Sequence, residues 1–315
     1  MPLNLSSARV INPILSTLAQ GYRQAEFIGD RLFPRVLVGA RGGQVLEFGK
    51  ESFQRYASRR APGARTARID FGYSGKPFTL YQDSLEAPVP REIAQDAAAV
   101  PGIDLGRGAV STVMRALLMT QEIDQATLAT TAANYEADSV LVLTSTAKWS
   151  ASTGTPISDI DAAREVIRRK CGIYPNVVTL SAKAFNAARN NPTVLGRVLS
   201  GGKNAEPAQV TREALAVLWN VDEVVVGAGI YMEGATSLDI WGNDVVLAYV
   251  PKVLGGNSMD LAQPSYGYTY TLLGNPLVEQ PYWEQQSKSW IYGVTFERAP
   301  VLSGIASGFL IKGAS

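Results

Sequence analysis

Residues 105–135 read LGRGAVSTVMRALLMTQEIDQATLATTAANY, and their spacing decides how the rest of the chain is to be parsed. Val110, Val113, Met114, Leu117, Leu118 and Ile123 recur at helical intervals, with no proline and no glycine after Gly108. The pattern predicts one amphipathic helix of more than six turns. At 1.5 Å per residue such a helix runs roughly 40 Å, longer than most globular helices and suited to be the spine of an elongated domain.

On the N-terminal side the sequence is β-rich. Val36–Val38, Val45–Phe48, the alternation of Ile69, Phe71 and Tyr73, and Phe78–Tyr81 read as strands. Between them lies SFQRYASRRAPGARTARIDF, residues 52–71, where Arg55, Arg59, Arg60, Arg65 and Arg68 precede the first acid, Asp70. Ala61-Pro62-Gly63-Ala64 is turn chemistry, so 45–81 is expected to be a long two-stranded excursion with the arginines on its outer half. An isolated ribbon is marginal in water and requires a docking surface. Residues 1–38, with turn signals at Asn12-Pro13 and Phe33-Pro34, read as an arm.

On the C-terminal side, SVLVLT (139–144) is a buried strand candidate and KWSASTGTP (148–156) a polar boundary. Ser158 is read as the cap of a helix that stops at Gly172, with Ile160, Ala163, Val166, Ile167 and Cys171 on one face. NVVTL (176–180) follows as a strand, Ser181 caps a further helix, residues 211–219 form another, and 223–226 and 247–250 are strands. These alternate as a compact α/β unit. Tyr266, Tyr268, Tyr270 and Leu272, then Trp290, Tyr292, Val294 and Phe296, then Phe309 and Ile311, return to strand periodicity. The economical topology is an α+β chain: an α/β unit inserted into a domain built from the long helix and strands at 139–144 and 266–311.

The composition limits the chemistry. The 315 residues are 46% hydrophobic and 18% charged, a globular balance. A net charge of +1 means that charge is local: nine basic residues against Glu47 and Glu51 between Arg31 and Arg68, then Asp83, Glu86, Glu92, Asp96 and Asp104 against Arg91 alone over 83–104. That asymmetry suits matched surfaces on like subunits. The absence of histidine removes the commonest general base, nucleophile activator and metal ligand. Cys171 is the only cysteine, so no intrachain disulfide or multi-cysteine metal site can form, and a reducing compartment fits. Neither an export signal nor an apolar run of spanning length is visible.

Gly227-Ala228-Gly229 follows a strand but lacks the third glycine, Met232 standing there, so a turn or bulge is the better reading than a dinucleotide site. SGGKN (200–204) is an incomplete phosphate loop, and Cys171 reads as a structural thiol. No cofactor or metal is expected, and no enzymatic activity. For the arginine stretch, contact between subunits is favoured over a solvated loop or direct nucleic-acid binding.

The order of parts, with FIGDRLFPRVLV (27–38), GGQVLEFGKESF (42–53) and RRAPGARTARIDF (59–71), resembles the major capsid proteins of tailed bacteriophages, which have the Hong Kong 97-type capsid fold shared by encapsulin shells. The resemblance implies an N-terminal arm (1–38), an extended loop (39–85), a peripheral domain with its spine helix (86–155 plus 266–315) and an inserted axial domain (156–265). It implies a structural protein that assembles as pentamers and hexamers into an icosahedral head around double-stranded DNA, its loop lying over a neighbouring subunit. Arg55, Arg59, Arg60, Arg65 and Arg68 would make that contact. The partners implied are further copies of the chain, DNA on the inner face, a separate scaffolding protein, a portal and a decoration protein, with no membrane. The chain would reside in the virion after assembly in the host cytoplasm. Some members join a loop lysine to an asparagine of another subunit, for which Lys50 and Lys76 are the candidates. An encapsulin-like compartment and an oligomeric nucleic-acid-binding protein are the alternatives.

Overall fold

The computed structural model describes residues 27–46, 75–98, 104–200, 210–251 and 265–315, together with 15–16, 19–20 and 59. Two sheets organise them. A six-stranded sheet is built around the long strand Ser289–Leu302, which pairs antiparallel with Tyr81–Pro90, Gly267–Leu272, Leu277–Val278 and Tyr282–Glu284. Arg35–Val38 extends it by parallel pairing with Gly267–Leu272. A five-stranded sheet runs in the order Val140–Val142, Gly308–Lys312, Val245–Ala248, Val177–Ser181, Glu223–Gly227.

The expected long helix spans Leu105–Thr130, where the Asp104 carboxylate caps it by accepting from the Arg107 N–H at 3.0 Å. It ends five residues short of the expected limit, because Thr131 turns extended and a short 3₁₀ segment follows. Its N-terminal half lays Val110, Val113, Met114, Leu117 and Leu118 on Val294 and Phe296 of the long strand, with Ala19 of the arm beside them. Its C-terminal half sets Ala126 and Ala129 against the five-stranded sheet. One helix therefore ties the two sheets together.

The five-stranded sheet is covered on both faces, and the strand period shows it. Val178, Leu180, Val245, Leu247, Phe309 and Ile311 point to the helices Pro156–Cys171 and Arg212–Trp219, around Trp149 and Trp219. Their alternates Val177, Val246 and Leu310 point to the spine helix and to Leu32 and Phe33 of the arm.

Two strand assignments are corrected. The segments expected to complete the peripheral sheet at 139–144 and 308–311 belong to the five-stranded sheet, where Gly308–Lys312 lies between Val140–Val142 and Val245–Ala248. Phe309, Leu310 and Ile311 are apolar on both sides, and this sheet buries both: Phe309 and Ile311 against its helices, Leu310 against the spine helix and the arm. The first axial helix also starts earlier than expected: Thr155 is its N-cap and Pro156 occupies its first turn, so Ser158 lies inside it. Gly172 ends it as expected with φ 74°, and Ser181 and Thr211 cap the next helices through the N–H groups of Ala184 and Ala214.

Candidate inter-subunit site

The excursion is present at its base. Gly42–Leu46 pairs antiparallel with Gly75–Thr79, in register from Gly42 opposite Thr79 to Leu46 opposite Gly75. Alternation puts Val45 on the sheet, in a cluster with Leu80, Tyr268, Tyr270 and Ala299, and the Phe78 ring stacks on Tyr270 at 4.3 Å. Lys76 lies in this ribbon opposite Val45. Arg59 is exposed, whereas Lys50, Arg55, Arg60, Arg65 and Arg68 lie outside the described residues.

Polar contacts fix the direction in which the ribbon leaves the sheet. Arg41, one residue before the first ribbon strand, donates from Nε and a terminal nitrogen to the two carboxylate oxygens of Glu297 at 2.5 and 2.9 Å. Glu297 is 2% exposed, and the shared hydrogen bonds raise the Arg41 pKa above its ordinary value. A forked donor on a planar acceptor restricts angle as well as distance. Beside it, Arg298 is fully buried against the Asp83 carboxylate at 2.9 Å, with Asp124 at 3.8 Å and the Phe296 ring 4.8 Å below its guanidinium carbon. Burial lowers the Arg298 pKa while those carboxylates oppose the shift.

A second polar hub holds the arm. Glu122 in the spine helix accepts from the backbone N–H groups of Ile28 and Gly29 at 2.9 and 2.8 Å and from Trp241 Nε1 at 2.7 Å. Burial pushes its carboxyl above the usual range although each of these bonds acts to lower it. The arm thus approaches the helix so closely that a Cβ at Gly29 would lie 2.0 Å from Gln125 Oε1. Helical spacing identified the apolar stripe of this helix but missed Gln121, Glu122 and Gln125, which are buried on it. Arg41 and Glu297 had no local signature, being 256 residues apart.

Of the remaining sequence candidates, SGGKN lies beyond Ser200 outside the described residues, and the other two are structural. Gly227 ends a strand against Trp241, where a Cβ would come 2.3 Å from the ring, and a β-hairpin (Ile230–Glu233 with Thr236–Asp239) follows in place of a phosphate-facing helix. Cys171 is buried, and its thiol, raised in pKa by burial, bonds the Ile167 carbonyl. Among the described residues no group of three or more acidic, cysteine or histidine side chains could hold a metal ion, and no helix is long and apolar enough to cross a membrane.

Two sheets tied by a spine helix, with a paired ribbon clamped at its root, make an α+β fold of the Hong Kong 97-type capsid class. The sequence profile of the family described as phage major capsid protein E matches residues 118–298. The chain is 34% identical over 311 residues to the major capsid protein of Burkholderia phage BcepMu, covering 98% of each. The crystal structure of a phage-related protein from Bordetella bronchiseptica RB50 superposes with a TM-score of 0.79 at 43% identity, covering 98% of both chains. The capsid structure of cyanophage P-SCSP1u shares the fold at 12% identity and a TM-score of 0.59, over 92% of this chain and 89% of that one. Encapsulin shells share only the fold, at similarly low identity. The chain belongs to the phage major capsid protein E family.

Proposed function

We propose that the chain forms pentamers and hexamers in an icosahedral phage head around double-stranded DNA, with the loop that begins at Gly42 crossing a neighbouring subunit. The observation that carries this reading is the clamped ribbon: the chain fixes the exit of an arginine-rich excursion with a buried carboxylate, Glu297, which gains nothing from a loop that remains in solvent. Full-length identity to a phage major capsid protein supports a head over an encapsulin compartment. Assembly in the host cytoplasm, a separate scaffolding protein, a portal and a decoration protein complete the proposal. The test is negative-stain microscopy of purified protein, wild type against Arg59, Arg60, Arg65 and Arg68 changed to Ala. Shells or capsomer rings are expected from the first and their loss, with unchanged circular dichroism, from the second. Normal shells from the variant would refute the loop contact.

A further inference from the structure

If the loop crosses a neighbour, that neighbour must present a seat, and the deduction that follows rests on that reading. The strand Tyr81–Pro90 pairs on one side with Ser289–Leu302 and on its other side with no strand among the described residues. The hydrogen bonds of its partner show which of its groups are free. Gly293, opposite Glu86, accepts from the Glu279 N–H at 2.9 Å, and the Glu297 N–H, opposite Gln82, is given to Asn275 Oδ1 at 3.1 Å. Both partner residues turn their peptide groups away from this strand, so those of Gln82 and Glu86, and of Ser84 between them, point out of the sheet. Pro88 and Pro90 share that parity and lack the donor, which limits the open edge to Gln82–Glu86.

The charges beside this edge select its occupant. Of the acids between 83 and 104, Asp83 is taken by Arg298 and Asp104 by the helix cap. Glu86 meets only the Tyr282 hydroxyl, at 3.1 Å, among the described residues. Glu92 and Asp96 are exposed one turn apart on the helix Arg91–Ala98 that continues from the strand, with no ion pair among the described residues. Two carboxylates at this spacing repel each other and weaken an isolated helix. Ile93, 53% exposed, stands beside them, and Leu85, 44% exposed, lies on the strand. Open peptide groups, uncompensated carboxylates and exposed apolar side chains thus follow one another along Gln82–Asp96, with Leu85 on the spine-helix face of the strand and Glu86 on the opposite one. In this nearly neutral chain the complementary element is the segment 52–71 with its five arginines.

We propose that the edge Gln82–Glu86 and the acids Glu92 and Asp96 form the seat on which the arginine-rich loop of a second copy docks, by strand addition and by arginine–carboxylate pairing. The first test is charge reversal. Glu92→Arg with Asp96→Arg is expected to abolish shells while leaving a subunit of unchanged circular dichroism, and Arg59→Glu with Arg60→Glu in the same chain is expected to restore them. The second is Ser84→Pro, which removes an outward N–H and is expected to reduce particle yield at least tenfold, whereas Ser84→Ala, which loses the same hydroxyl contact to Thr295 at 3.1 Å but keeps the N–H, is expected to assemble normally. The third is a disulfide between Arg59→Cys and Asp96→Cys, for which the buried Cys171 leaves a clean background. A ladder of oligomers on non-reducing electrophoresis is expected; a cross-link within the monomer assigns the seat to the chain's own loop and overturns the proposal, as does the joint failure of ladder and rescue. Normal shells from the Glu92→Arg/Asp96→Arg variant, with loss still seen on replacing the loop arginines, would overturn the seat and leave the loop contact standing.

Discussion

The two sheets solve burial in opposite ways. The five-stranded sheet is sandwiched by apolar side chains, with Trp149, Ile160, Ile167, Leu180, Trp219 and Leu247 fully buried and only uncharged polar residues among them. Every buried charge among the described residues lies on the six-stranded sheet, as Glu297 and Arg298 do, or on the spine helix that joins the two sheets, as Glu122 does. Buried charges cost desolvation that apolar residues of similar volume would avoid, so they do not explain stability. Each holds or adjoins a segment that leaves the body of the subunit: Glu122 the arm, Glu297 the loop, and Arg298 the strand Tyr81–Pro90 that follows the loop. The apolar sheet makes the subunit stable and the charged one fixes where its extensions go.

This contrast is tested most heavily in the apolar sheet. Trp219→Ala removes a fully buried ring 6.1 Å from that of Trp149 and is expected to destabilise the subunit by about 3–5 kcal/mol. Denaturant unfolding of the unassembled protein measures it, and a loss below about 1 kcal/mol would mean that the core can collapse around the gap. In the charged sheet the corresponding change is Asp83→Ala, which leaves the Arg298 guanidinium buried with Asp124 alone at 3.8 Å. A loss of about 3 kcal/mol is expected, and Arg298→Met in the same background should recover most of it. If the double variant is no better than the single, the pair contributes more than the cancellation of a buried charge.

Glu122 makes the contrast depend on pH. Burial raises its carboxyl above the unfolded value near 4.5, and burial likewise raises Asp124. A raised carboxyl binds its proton more tightly in the folded state, so the stability it contributes is complete below the unfolded value and is lost as pH rises through the folded one. Unfolding free energy should therefore gain from these two groups on mild acidification from neutrality. Glu122→Gln should remove part of that slope and, by turning an amide donor toward the Gly29 N–H or the Trp241 ring nitrogen, cost about 1–2 kcal/mol. An unchanged slope would place the titration elsewhere.

Much of the apolar sheet could be read from the sequence, and little of the charged one. Val177–Ser181, the cap at Ser181 and the helix Arg212–Trp219 announce themselves by local pattern, as does the spine helix through Val110, Val113, Met114, Leu117 and Leu118. Which sheet receives a strand is not a local property: Phe309–Ile311 and Tyr292–Phe296 both read as strands from their own residues, and what separates them is the ladder each finds, Val245–Ala248 for the first and Tyr81–Pro90 for the second. The arginines of 52–71 drew attention because they are adjacent in sequence. Arg41, also basic and eleven residues before that stretch, carries no such local signal, because its partner Glu297 is 256 residues away in the sequence.

A smaller effect on the subunit should accompany one of the larger effects on assembly. Arg41→Ala removes an exposed guanidinium but leaves the Glu297 carboxylate buried without it, so the folded body should keep its circular dichroism and lose part of its thermal midpoint, which Glu297→Gln in the same chain should return. What it loses is the two-point contact that sets the angle at which Gly42–Leu46 departs. A loop hinged at its base retains its arginines but spends little time over its seat, because a change of tens of degrees at the ribbon's root displaces its tip by more than a side chain can span. Particles should become sparse or variable in size, read by microscopy and sedimentation. Arg41→Lys, which keeps the charge but not the fork, should recover only part of the yield. Exchanging the partners, Arg41→Glu with Glu297→Arg, is the sharper test: normal shells would show that the pair acts through geometry alone, whereas failure with the body still folded would show that Glu297 must be the buried partner.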